Sequence, residues 1–428
     1  MSDEVTVALL GGGTVGSQVA RLLTEGAGDL AARVGRPLRL TGVAVRDPAR
    51  EREGIPAHLL TDDAARLASS GADVVVELIG GIEPTATYLR SAIAAGSSVV
   101  SANKALMAEQ GGDLHTAAEA AGVDLFYEAA VAGAIPLLRP LGDSLAGDRI
   151  RRVMGIVNGT TNYILTRMDE EGADYADVLA DAQALGYAEA DPTADVGGAD
   201  AAAKAAILAS LAFHTRVTLS DVACEGIQQV SADDVAAARD MGFVIKLLAI
   251  AELSADGSGV CVRVHPTMIS RQHPLAAVRG AFNAVFVEAD AAGQVMFYGQ
   301  GAGGEPTASA VLGDLVTAAR HRVSGSLGAA ASTYNDVRIL PQSEALTSYF
   351  VNFRVADKPG VLAEIARVFA DNGVSISGVR QEGSDDQASL IIRTHEATDG
   401  ALAATVAAVA ELPAVREVAG VMRVVGES

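Results

Sequence analysis

Val5-Thr6-Val7-Ala8-Leu9-Leu10-Gly11-Gly12-Gly13-Thr14-Val15-Gly16 carries the strongest fold signal in the chain. Val5 to Leu10 is a short apolar run that stops at a glycine, the pattern of a strand buried on both faces. Val15, Val19, Leu22 and Leu23 then recur at helical spacing. Between them, Gly11, Gly13 and Gly16 fit G-x-G-x-x-G. After a strand and before a helix, the first glycine makes a tight turn. The second lets the backbone approach an anion, and the third packs helix on strand. The helix start offers unsatisfied N–H groups and the positive end of its dipole. The expected guest is a dinucleotide pyrophosphate among Gly11, Gly13, Thr14, Val15 and Gly16; the alternative is an ordinary glycine-rich loop.

Outward from this loop, strands are predicted at 38–45 (broken by Gly42), 73–79, 97–101 and 123–127, with helices at 85–95 and 114–121. Strand and helix in alternation imply an α/β Rossmann domain, a doubly wound parallel sheet. After about Ala134 the pattern becomes α+β. A strand at 149–157 leads into the turn-rich Asn158-Gly159-Thr160-Thr161-Asn162. Helices at 163–171 and 175–185, a glycine- and acid-rich loop at 186–198 and an alanine-rich helix at 200–213 follow. Strands are expected at 243–253, 260–265, 284–288 and 294–298. The helix after Gly301-Ala302-Gly303-Gly304 is expected to return to the first domain. Residues 321–347 read as a linker rich in Ser, Gly and Ala. From 349 the pieces 349–355, 361–372, 374–381, 388–394, 400–412 and 415–424 run strand, helix, strand, strand, helix, strand. That is a ferredoxin-like βαββαβ order. The expected domains are 1–133 for the dinucleotide (completed by helix 305–321), 134–320 for the substrate, and 348–428.

The chain has 428 residues, room for two or three cores. Its net charge of −21 argues against nucleic acid or an anionic membrane as partner. No apolar run is long enough for a membrane span, and Met1 to Leu10 has two acids and no basic residue, unlike a secretory leader. Cys224 and Cys261 have no metal-type spacing, so a reducing cytoplasm and small core thiols are expected. The seven histidines form no recognisable triad or metal spacing. Among 32 basic residues only Lys104, Lys204, Lys246 and Lys358 are lysines. Arginine supplies surface charge but does not release its proton at working pH, so these lysines stand out. Lys246, in an apolar stretch, is expected to snorkel.

An acid at the end of the second strand would select NAD, and an arginine accommodates the 2′-phosphate of NADP. Arg46 comes first there, followed by Asp47, Arg50 and Arg52. NADP(H) is therefore the expected cofactor, with NAD(H) kept open by Asp47. The alternative for Arg46 is a solvated loop charge.

Glu189, Asp191, Asp195 and Asp200 gather within twelve residues and Lys204 follows. Asp200 and Lys204 are four apart and share a helix face. An exposed ion pair is the plain alternative, but the flanking alanines predict a buried helix. Oxidising an alcohol requires a group to take the hydroxyl proton as hydride leaves, and a lysine amine that titrates near neutral pH does this. Lys104, in Ser101-Ala102-Asn103-Lys104 at the carboxyl edge of the fourth strand, is where doubly wound folds bind ligands. The acids suit an ammonium group on a small-molecule substrate.

The stretch Ala182-x3-Gly186-Tyr187-Ala188-x2-Asp191-Pro192-x2-Asp195-Val196-x-Gly198-x-Asp200-x3-Lys204 resembles the signature of homoserine dehydrogenases. Glu77-Leu78-Ile79-Gly80-Gly81, Ala102-Asn103-Lys104-Ala105-Leu106 and Asn158 to Tyr163 are similar to the same family. The resemblance implies NAD(P)-dependent interconversion of L-homoserine and L-aspartate 4-semialdehyde, in threonine, methionine and isoleucine biosynthesis. It implies Lys204 as proton donor or acceptor, with Lys104 on the reacting oxygen. Glu189 would hold the amino group, with Tyr187, Asp195 and Asp200 completing the site. Dinucleotide contacts would include Arg46, Ser101, Lys104 and Gly303 beside the glycine loop. A monovalent cation, Na+, would take the Glu128 carboxylate and the carbonyls of Val131, Gly133 and Ile135. A homo-oligomer, dimer or tetramer, with dimerisation through the 134–320 domain, is implied, and no aspartate kinase fusion is expected ahead of Gly11.

Asp357-Lys358-Pro359-Gly360-Val361-Leu362 and Asn372-Gly373-Val374-Ser375-Ile376 resemble the ACT domain, an amino-acid-binding regulatory module. The resemblance implies threonine as effector, near Asp357, Gly360, Val361 and Asn372, and pairing of two copies. A degenerate domain used only for assembly is the alternative. For the whole chain the competing function is a non-catalytic dinucleotide or amino-acid sensor, which has no need of a paired-lysine site.

Overall fold

The computed structural model describes residues 3–328, 335–383 and 388–425. The chain divides into two compact units: 1–157, 203–220 and 282–337 in one, and 158–202, 221–281 and 338–428 in the other.

The first unit is built on a six-stranded parallel sheet: β1 Val5–Leu10, β2 Leu38–Ala44, β3 Leu60–Thr61, β4 Val74–Glu77, β5 Ser98–Ser101 and β6 Leu125–Phe126. Their order is β3-β2-β1-β4-β5-β6, the doubly wound order of a dinucleotide fold. The carboxyl ends of β1 and β4 flank the point where the winding reverses, where such sheets bind ligands. Gly42 does not break β2. The register against β1 slips between Val7 and Ala8, a bulge that β2 passes through. The two-residue β3 carries no sequence signal, being too short to show a hydrophobic period.

The helix Gly304–Ser324 packs Ala308, Val311, Leu315, Ala318 and Ala319 into the core of this sheet. The helix predicted at 114–121 begins ten residues earlier, at Lys104. Asn103 starts it by accepting the Leu106 N–H at 3.1 Å, a side-chain cap that outweighs the Gly111-Gly112 pair inside. The same unit holds an antiparallel trio, Ile150–Ile156, Phe282–Ala289 and Gly293–Gln300.

The second unit contains the antiparallel pair Phe243–Leu253 and Gly259–Ser270. The latter outruns its predicted end at His265 because Pro266 falls between two neighbours on its outer side. Ala223–Cys224 pairs beside Arg263 and Val264, and Val415–Val425 pairs beside Thr267 to Ile269. A missing N–H is tolerated at such a gap. Val415–Val425 is the last strand of a four-stranded antiparallel sheet, next to Leu346–Val355, then Ala388–Thr394, then Ile376–Glu382. With helices Val361–Asp371 and Asp399–Ala410 this is the expected ferredoxin-like arrangement. The stretch read as a linker carries the end of helix Gly304–Ser324, the strand Arg338–Leu340 and a 3-10 turn; residues 329–334 of it lie outside the described residues.

Phe353 is fully buried between sheet and helices of this last domain. Phe353→Ala is expected to destabilise it by about 3–5 kcal/mol, read as an earlier transition in chemical denaturation.

Candidate active site

The glycine loop has the shape its sequence requires. Gly11 has φ 112°, and a Cβ there would lie 2.6 Å from the Leu78 carbonyl oxygen. A Cβ on Gly16 would lie 2.0 Å from the Gly11 oxygen, so this helix seats on its strand only as glycine. Gly13 is exposed with open space around its missing side chain. It begins the helix Thr14–Glu25, whose first turn has no side-chain cap. An open, uncapped helix start fits a pyrophosphate. Thr14 abuts Gly304, next to the exposed Gly303. Beyond β2, Arg46 is exposed and makes no ion pair among the described residues. Asp47 turns its carboxylate onto the Ala49 N–H at 3.0 Å.

A cavity of about 330 Å³ at the carboxyl edge of the sheet holds both motif lysines. Lys104 and Lys204 share its lining with Gly80-Gly81, Asn103 and Gly133. Lys204 is 9% exposed and donates to the Val157 carbonyl at 2.6 Å, so the predicted buried helix is found. The rim is organised by Glu77, to which the sequence alone assigns no role. Its fully buried carboxylate accepts the Ile79 and Gly80 N–H groups at 2.8 and 2.9 Å and the Ser101 hydroxyl at 2.6 Å. Ser101 accepts the Asn103 N–H at 3.0 Å, and the Asn103 amide donates to the Gly81 carbonyl at 2.6 Å.

Glu128 is more deeply engaged than a strand-end charge. Its carboxylate accepts the N–H groups of Leu137, Leu138 and Arg139 at 2.5, 2.6 and 3.0 Å. It therefore ties the chain back on itself. Ala132 and Gly133 both take left-handed φ, 59° and 55°. Among the described residues the carbonyls of Val131, Gly133 and Ile135 accept no backbone N–H. Three such oxygens fit a hard cation. Asp314 accepts the Glu128 N–H at 2.8 Å. Burial, with the Glu128 charge beside it, pushes the Asp314 carboxyl up to about 7. A single acid in an alanine-rich helix carried no sequence signal for this.

In the second unit the acids converge on Asn158. This residue caps helix Gly159–Glu171, which starts inside the predicted turn, with its side-chain oxygen on the Thr161 N–H at 2.8 Å. Its amide nitrogen donates to Asp195 Oδ1 and Asp200 Oδ2, each at 2.8 Å. The Thr160 hydroxyl donates to the Tyr187 carbonyl at 2.6 Å, and the exposed Tyr187 ring lies 4.8 Å from that of Tyr163. Glu189 is exposed, its backbone carbonyl held by Gln183. Asn158, the residue that joins Asp195 to Asp200, is in the sequence only one member of a turn-rich motif.

Other expectations change. Cys224 is exposed rather than a core thiol, while Cys261 is buried. His321, unremarkable in sequence, meets Asp124 at 2.9 Å across 197 residues. Lys246 does not snorkel: it is 1% exposed and bonds inward. In the last domain Asp357 accepts from Gln381 at 3.0 Å, and Gly360, with φ 96°, begins helix Val361–Asp371. Asn372 lies past the far end of that helix, so one copy does not bring it to Asp357, Gly360 and Val361.

Comparison with known proteins then decides the family. The homoserine dehydrogenase profile matches residues 136–316, and the profile for the NAD-binding domain of homoserine dehydrogenase matches 11–128. The homoserine dehydrogenase of Corynebacterium glutamicum is 55% identical over 98% of this chain and 96% of its own. The chain belongs to the homoserine dehydrogenase family. The homoserine dehydrogenase of Mycobacterium tuberculosis is 56% identical over 99% of this chain and 98% of its own. A crystal structure of a homoserine dehydrogenase from Thiobacillus denitrificans superposes with a TM-score of 0.92 at 40% identity, covering 98% of each chain. An ACT profile matches 349–414. As a member of this family the chain is an NAD(P)-dependent oxidoreductase with a nicotinamide dinucleotide as cofactor. Among the described residues no helix is long and apolar enough to cross a membrane.

Asp314 gives a pH test. Its folded-state pKa lies above the unfolded value, so its contribution to stability is lost as pH rises toward about 7. Asp314→Asn is expected to gain melting temperature relative to the parent between about pH 4 and 7, with no further gain above. Parallel melting curves over that range would refute the shift.

Proposed function

We propose that this chain interconverts L-homoserine and L-aspartate 4-semialdehyde with a nicotinamide dinucleotide, in threonine, methionine and isoleucine biosynthesis. The observation that carries the reading is the single cavity lined by Lys104 and Lys204 at the carboxyl edge of a dinucleotide-type sheet. The nicotinamide, when bound, supplies the hydride acceptor or donor. Lys204, anchored on Val157, takes the hydroxyl proton during oxidation and returns it to the carbonyl oxygen during reduction. Lys104 binds the same oxygen and stabilises its developing charge. Glu189, Asp195 and Asp200 receive the substrate ammonium, with Tyr187 beside them. The Asn158 bridge supports this by presenting two carboxylates together.

Gly11, Gly13, Thr14, Val15, Gly16, Ser101 and Gly303 are the proposed dinucleotide contacts. Arg46, exposed beyond β2, favours the 2′-phosphate of NADP(H), and the inward turn of the Asp47 carboxylate supports that preference over NAD(H). Glu128 through its carboxylate, and Val131, Gly133 and Ile135 through their carbonyls, would hold Na+; the ion would fix the segment that lines the lysine cavity. Threonine is the proposed effector of the ACT domain. The separation of Gly360 and Asn372, at opposite ends of one helix, favours a site completed by a second copy, hence a homo-oligomer. The domain limits proposed are 1–133 with helix 305–321, 134–320, 321–347 and 348–428.

The test is homoserine-dependent formation of reduced dinucleotide, measured with NADP and NAD, with and without threonine. Activity favouring NADP and slowed by threonine is expected; no homoserine-dependent signal in either direction would favour a sensor. Lys204→Arg keeps a cation and removes the amine that takes and returns the proton. Its kcat is expected to fall by about 10²–10⁴-fold with dinucleotide affinity retained, and parent-like turnover would overturn the role of Lys204.

A further inference from the structure

We infer that Lys246 is a positioning residue for the amino-acid end of the substrate, acting through Asn162 and the first turn of helix Gly159–Glu171 on the Asp195–Asp200 pair. The inference rests on the proposed function and adds to it a residue remote from the reacting atoms.

Lys246 lies in the strand Phe243–Leu253, in a run of buried apolar residues. A core that needs only volume is filled by Met or Leu without the cost of burying an ammonium. Here the three N–H donors reach three acceptors: Asn162 Oδ1 at 2.8 Å, the Val278 carbonyl at 2.6 Å and the Thr166 hydroxyl at 3.4 Å. Burial pulls the amine down to about 8, against Asp169 and Glu170, which hold it up; Arg279 and Arg271 add to the lowering.

The Asn162 amide donates onward to the Gly280 carbonyl at 2.9 Å. Gly159 presses on the same loop, where a Cβ would lie 2.7 Å from the Ala281 oxygen. Lys246 and Asn162 thus clamp residues 278–281 against the start of the helix. Asn158 and Asn162 are four residues apart, one helical turn. One asparagine faces the buried amine, and the other holds Asp195 and Asp200. Releasing the first turn therefore moves the amide on which both carboxylates depend.

The test compares the parent with Lys246→Met, Asn162→Ala, the double variant, and Ile250→Ala, a buried truncation in the same strand. KM for homoserine, kcat, KM for dinucleotide and melting temperature are measured for each. Lys246→Met and Asn162→Ala are each expected to raise KM for homoserine by about tenfold, with kcat and dinucleotide KM within about threefold. The double variant should be little worse than either single one, because both break one relay. Ile250→Ala should melt earlier with homoserine KM unchanged. A folded Lys246→Met or Asn162→Ala that melts earlier but keeps the parent KM would overturn the inference. If Lys246→Met does not fold, Asn162→Ala decides alone. A parent with no homoserine-dependent signal removes the proposed function and the inference with it; an active parent with unshifted variants removes the inference only.

Discussion

Two carboxylates meeting on one amide nitrogen repel each other, and the arrangement around Asn158 depends on how that repulsion is met. Each oxygen takes one N–H of the Asn158 amide at 2.8 Å. The amide is neutral, so it orients the acids without cancelling their charge. A ligand bearing an ammonium group is attracted to such a pair. The Asn158 oxygen meanwhile caps a helix. One short side chain thus joins a helix start, a loop acid and a helix acid.

In the first unit the corresponding constraint is met by backbone rather than by charge. Gly11 and Gly16 allow a close approach that any side chain would block. Glu77 and Glu128 are buried acids whose oxygens collect backbone N–H groups, so each fixes a turn that lines the lysine cavity. Buried carboxylates satisfied in this way act as internal braces. The two lysines can then be presented by short, well-held segments.

Much of the fold was legible because its elements carry strong periods. β1, the helix Thr14–Glu25 and the strand Phe243–Leu253 lie where hydrophobic spacing put them. Departures came where a local signal competed with a cap or a partner strand. Gly111-Gly112 hid the first half of a capped helix, Gly42 stays paired with Ala8 just past a bulge at Thr41, and Pro266 fell into a gap between neighbouring strands.

The dinucleotide loop, the order of strands and helices, and the acid-and-lysine spacing are readable from sequence, because each depends on residues close along the chain. Lys204 and Asp200 share a helix face by spacing alone. Long-range packing brings Lys104 and Lys204 into one cavity, bridges Asp195 and Asp200 through Asn158, and sets Asp314 against Glu128 across 186 residues. It also turned Lys246 inward. Those contacts are set by packing between segments far apart in sequence, where hydrogen-bond partners for buried polar groups are supplied by the fold and leave no periodic trace.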